Sequence, residues 1–143
     1  MTREEAAVRP EAKEGYVVAD DGSHLQFLWE RMQRQYPGIG SDMATRHNVD
    51  HVLAGPDQHL NAYRAVYTHP IENRLSRLAE SSVPVFLLSG SGDCIKDIHD
   101  RTSRFLPQAS VRTLDGLTDF AMDEDPRAFT EAVEIFLRER IQT

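Results

Sequence analysis

The sequence predicts an α/β fold: a block of helices over residues 22–80, then a small parallel sheet with a βαβ unit over 81–143. Three observations predict it. Apolar residues recur at helical spacing from Leu25 to Leu78. The period then changes at Val83-Pro84-Val85-Phe86-Leu87-Leu88, a continuous apolar run closed by Ser89-Gly90-Ser91-Gly92. Such a run marks a strand buried on both faces of a parallel sheet. A helical pattern from Ile95 to Leu106 and a second strand-like stretch, Ser110–Leu114, complete a strand–helix–strand order. Crossovers of that kind are right-handed.

Each element has its own signals. Residues 1–14 alternate charge and alanine around Pro10 and are expected to form a mobile tail ahead of a single domain, 15–143. Tyr16-Val17-Val18 reads as a short extended piece, broken by Asp20-Asp21-Gly22. Asp21 or Ser23 can cap a first helix. Leu25, Leu28, Trp29 and Met32 follow at the spacing of one buried face. Pro37-Gly38-Ile39-Gly40 ends that helix. A second helix starts at Ser41 or Asp42 and stops before Gly55, a residue suited to a left-handed C-terminal cap. A third runs from Asp57 to Thr68 with Leu60, Tyr63 and Tyr67 on one face. Pro70 separates it from a fourth, carried by Ile71, Leu75 and Leu78. In the βαβ helix Ile95, Ile98, Thr102 and Phe105 are expected to face inward. Gly116–Asp125 reads as a loop. Pro126 suits the first turn of a last helix, striped by Phe129, Ala132, Val133, Phe136, Leu137 and Ile141.

Composition narrows the function classes. A chain of 143 residues can bury one real core, and 40% hydrophobic with 27% charged residues is a globular balance. Sixteen Lys and Arg stand against 23 Asp and Glu, for a net charge of −7. The arginines are scattered among carboxylates, which argues against a nucleic-acid partner. No apolar run approaches the ~20 residues of a membrane helix, and the N-terminal stretch has no secretory apolar core. Cys94 stands alone, so an intramolecular disulfide framework and a multi-cysteine zinc site are excluded. A cytoplasmic protein is the expectation.

The order of these elements resembles the C-terminal half of an α/β-hydrolase over residues 16–141. DGSHLQFLWERM and the helices up to Leu78 resemble that family's cap. VPVFLLSGSGD resembles its penultimate core strand and the loop after it, and the resemblance implies that Asp93 stands at the triad-acid position. In Gly116-Leu117-Thr118-Asp119-Phe120, Asp119 stands where the family has its histidine. No G-x-S-x-G nucleophile elbow occurs in the chain, and no histidine follows His99. A carboxylate cannot shuttle the nucleophile's proton near neutral pH as imidazole does. The isolated chain is therefore not expected to hydrolyse esters. The resemblance implies a subunit or fragment that supplies a cap and Asp93 to a composite hydrolase. The alternative is a non-catalytic binding or assembly protein derived from one. Two parallel strands leave exposed edges, so a second copy or a separate subunit is expected to complete the sheet. Phe27, Trp29, Tyr36, Tyr63 and Tyr67 imply an apolar pocket for a small ligand in the cap, or else packing between its helices. No cofactor is implied.

Other constellations resolve to plainer readings. His47 and His51 lie four apart on one helix, a metal-ligand spacing. HNVDH nevertheless has asparagine in place of the metalloprotease glutamate, and neither His59 nor His69 has a defined place as a third ligand. Gly90-Ser91-Gly92 could cradle phosphate on backbone N–H groups, but GSGDCI lacks a third glycine and adds the charge of Asp93. A tight turn presenting Asp93 fits better. Cys94 is expected to be half-buried and unreactive. Asp115, Asp119, Asp123, Glu124 and Asp125 lack calcium-loop spacing; Asp123, Glu124 and Asp125 suit the N-terminus of the last helix. No metal is assigned.

Overall fold

The computed structural model describes residues 15–69 and 71–141. The expected tail, 1–14, and Pro70 lie outside the described residues, as do the side chains of His59, Tyr67 and Ile141. The chain divides into two compact units between His69 and Pro70, so the fourth helix falls with the sheet.

The first unit holds α1 (Ser23–Gln35), α2 (Ser41–Ala54) and α3 (Pro56–Thr68). Asp21 acts just ahead of α1, its Oδ1 accepting the Ser23 N–H at 3.0 Å, while Gly22 is the capping residue. Leu28, Met32 and Ala44 are buried where α1 packs on α2. The apolar stripe expected to be wholly buried splits: Leu25 is 51% and Trp29 37% exposed. Spacing identifies a face, but the width of the covered strip depends on the neighbour, and α2 covers only part of it. Gly55 ends α2 at φ 77°, ψ 161°. The φ is positive as expected, but the ψ lies outside the left-handed helical region, and the Gly55 N–H bonds back to the His51 and Val52 carbonyls. Tyr16-Val17-Val18 forms no strand. Tyr16 is buried, donates its O–H to the His51 carbonyl at 3.1 Å, and stacks on His24.

The second unit holds α4 (Ile71–Ala79), β1 (Phe86–Gly90), α5 (Lys96–Phe105), β2 (Ser110–Leu114), α6 (Ala121–Glu124) and α7 (Pro126–Ile141). β1 and β2 pair in parallel, from Phe86 opposite Ser110 to Gly90 opposite Leu114. The core lies on the face carrying Phe86, Leu88 and Leu114, where Leu114, Ala121 and Ala132 are buried against Leu117 and Phe129. Phe86 stacks on Phe136 of α7, with ring centroids 4.8 Å apart. The expected burial on both faces is not met. Only Ser89 and Gly90 of β1 are buried, and Val111, Arg112 and Thr113 of β2 are exposed. A two-stranded sheet lacks the neighbours that bury a central strand. Ile95, just ahead of α5, and Phe105, at its end, are likewise exposed rather than inward. The loop after β2 contains the short α6. Asp125 caps α7, its Oδ1 accepting the Ala128 N–H at 2.9 Å, and Pro126 follows in the first turn.

On α5, Lys96 Nζ donates to Asp100 Oδ1, and the His99 ring stands 3.6 Å from the same oxygen. The Lys96 bond, foremost, holds the Asp100 carboxyl below its ordinary value of 3.8. A depressed folded-state value stabilises the fold above the unfolded value, and that contribution is lost as pH falls through the folded one. The window therefore lies below pH 3.8. Lys96→Met is expected to raise the Asp100 midpoint in a carboxyl NMR titration. A midpoint unmoved by that change would show that Lys96 is not its cause.

Candidate functional site

The β1–β2 ladder continues past the strands and zips two loops together. The Ser91 N–H donates to the Leu114 carbonyl at 2.9 Å, and the Gly92 N–H to the Leu117 carbonyl at 2.8 Å. Ser91 Oγ accepts the Gly116 N–H at 2.8 Å. Farther along, the Glu124 carboxylate takes both the N–H and the Oγ1–H of Thr118, at 2.6 and 2.9 Å. The Thr118 hydroxyl in turn accepts the Phe120 N–H at 3.1 Å. Asp119 is thus clamped on both sides. Glu124 therefore braces this loop from within, rather than simply adding charge at the start of α7.

These contacts bring the two sequence-predicted site residues together. A carboxylate oxygen of Asp93, one of Asp119 and the Cys94 sulfur all lie within 4.8 Å of one another. Asp93 and Asp119 are half-buried; Cys94 is exposed, not half-buried as expected. Asp93 Oδ1 accepts the Ile95 N–H at 2.8 Å, and its carbonyl accepts the Lys96 N–H at 3.0 Å. The side chain therefore shapes the turn that leads into α5 while its carboxylate stays close to that of Asp119. The pair sits just beyond the C-terminal ends of β1 and β2, the edge where ligands and catalytic groups gather in open α/β sheets.

The trio can accept a hydrogen-bond donor placed between its carboxylates. Carboxylate oxygen and thiolate sulfur both fall within zinc's range of ligands, but exposed acidic groups commonly cluster without an ion, and these three donors assign none. The three donors include no imidazole, so these groups do not by themselves form the acid–histidine pair of a hydrolase triad.

The other candidates separate. His51 Nδ1 lies 2.6 Å from the His47 carbonyl, one turn earlier on the same helix, which engages one of its two ring nitrogens. The N–H groups of Ser91, Gly92 and Asp93 are bonded to Leu114, Leu117 and Gly90, so this turn offers no phosphate cradle. The first unit holds an apolar cavity of about 310 Å³ between α1 and α2, lined in part by Leu25, Trp29, Asn48, Val49 and Val52; of the aromatics expected to line a cap pocket, Trp29 is there, while the aliphatic and Asn48 lining was not foreseen. Its signal was in the sequence, since Val49, Val52 and Leu53 continue at helical spacing on α2.

Comparison with known protein families, curated proteins and solved structures finds no match to this chain. This neither supports nor refutes the hydrolase likeness; what the structure shows is a mostly helical α/β chain with a small parallel sheet. No helix among the described residues is long and apolar enough to cross a membrane.

Proposed function

We propose that this chain is a hydrolase-derived subunit that brings a helical cap and an acidic sheet edge to a composite active site, its sheet completed by another chain. The observation that carries this reading is the convergence of Asp93 and Asp119, 26 positions apart in sequence, within 4.8 Å at the C-terminal edge of a parallel ladder. In the hydrolase pattern the acid and the histidine loop face each other at that edge. Here the acid is present and the histidine position holds a second carboxylate. On this reading the nucleophile, whose G-x-S-x-G elbow does not occur in the sequence, and the histidine come from the partner. Exposed residues on β2 and a sheet of two strands among the described residues suit completion by further strands.

A tagged chain isolated from its own cells is expected to elute as a complex, with further copies or with another polypeptide. That complex should hydrolyse p-nitrophenyl esters, whereas the chain produced alone does not. A chain that sediments as a lone monomer, or a complex without saturable hydrolysis, would overturn the proposal and leave a binding or assembly role.

A further inference from the structure

We infer that the cavity between α1 and α2 is a binding site for a small molecule with an apolar body and one hydrogen-bond acceptor. The inference concerns the first unit alone and does not depend on Asp93 or on a composite enzyme.

Size is the first argument. Ligand sites begin at about 300 Å³, and the cavity measures about 310 Å³. A dry cavity of ~150 Å³ holds benzene, so twice that suits roughly ten to fifteen non-hydrogen atoms. Lining is the second. Leu25 and Trp29 of α1 and Val49 and Val52 of α2 face the space while remaining 37–51% exposed, so their apolar surface is not used up by packing between the helices.

Polarity is the third argument, and it sets the chemistry. Two polar side chains share the wall, Thr45 and Asn48. Thr45 Oγ1 already donates to the Ser41 carbonyl at 2.7 Å. The Asn48 amide is different: its Nδ2 is buried and has no hydrogen-bond partner among the described residues. A buried amide donor without an acceptor is costly and calls for an explanation. The terminal torsion of asparagine is broad, so a modest rotation can turn the N–H₂ toward an oxygen entering the cavity. A ketone, ester or ether oxygen would complete it. A pure hydrocarbon would not, and a carboxylate would have to give up its hydration in an apolar space without a cation.

The chain's single tryptophan reports on this site directly, because Trp29 is part of the wall. The probes are 4-phenylbutan-2-one and butylbenzene, alike in shape and differing in the carbonyl. The ketone is expected to change Trp29 emission saturably and to bind about tenfold more tightly than the hydrocarbon, the worth of one neutral hydrogen bond. Asn48→Leu should bring the two affinities within about twofold. Val49→Phe, at a half-exposed position where folding is not at stake, should abolish both by filling the space. Three results would overturn the inference: no saturable change with either probe, equal affinities in the parent protein, or Trp29 emission that shifts with protein concentration alone. The last would mean that a second copy covers the groove.

Discussion

Asp93→Asn is expected to slow ester hydrolysis by the assembled complex at least about a thousandfold while leaving the fold intact. In acid–histidine–nucleophile machinery the acid holds the imidazole in the productive tautomer and stabilises the imidazolium that forms. Replacing that carboxylate by its amide costs on the order of 10⁴ in kcat in the best-known protease case. The structural part of Asp93 survives the change. Its Oδ1 accepts the Ile95 N–H, and an asparagine carbonyl accepts that bond equally well. The turn into α5 should therefore hold, with a thermal midpoint within about 2 °C of the parent and an unchanged sedimentation profile. Asp119→Ala should do much less, about tenfold or under, because in the proposed arrangement the partner's histidine moves the proton and Asp119 does not. A complex whose rate ignores Asp93→Asn would leave Asp93 as a turn residue and nothing more.

The contrast between these two aspartates shows what a sequence can carry. Asp93 was legible because its signals are local: an apolar run, then glycines, then a short polar side chain entering a helix. The positions of β1, β2 and α7 followed from similarly local patterns, and the strand beginning at Phe86 instead of Val83 is a small shift. The nearness of Asp119 to Asp93 has no local signal beyond the family resemblance. It is set by the register of the ladder and by Glu124 gripping Thr118, a long-range arrangement on one side and a six-residue one on the other. Burial was the least legible property. Leu25, Trp29 and Phe105 lie on apolar stripes yet stay exposed, because periodicity says which way a side chain faces and not whether anything stands opposite. The cavity and the orphaned Asn48 donor belong to the same category: the spacing of Val49, Val52 and Leu53 marks an apolar face on α2, but not that α1 leaves part of it uncovered.

Gly90→Ala is expected to destabilise the second unit by about 3 kcal/mol, the upper part of the range for forcing extra atoms into a packed site. A Cβ at Gly90 would stand 2.1 Å from the Leu117 carbonyl oxygen and 2.4 Å from that of Thr118. Both obstacles are backbone atoms, so no rotamer change relieves them. Gly90 is not among the glycines with positive φ; alanine could adopt its conformation, and the clash alone sets the cost. The loop would have to retreat, stretching the 2.8 Å bond from the Gly92 N–H to the Leu117 carbonyl and the Glu124 hold on Thr118. At roughly 4–8 °C per kcal/mol for a unit of this size, the midpoint should fall by about 12–24 °C. Two other glycines calibrate the reading. A Cβ at Gly92 meets Leu117 oxygen at 3.4 Å, an ordinary contact, and Gly92→Ala should change little. Gly116 has φ 76° with open space around it, so Gly116→Ala should cost only the left-handed backbone, about 1–2 kcal/mol. The same displacement at Gly90 would carry Asp119 away from Asp93, so the complex should lose the pairing at its acidic edge along with stability. A Gly90→Ala protein melting within about 2 °C of the parent would mean that the loop does not rest on the strand end, and the convergence of the two carboxylates would fall with it.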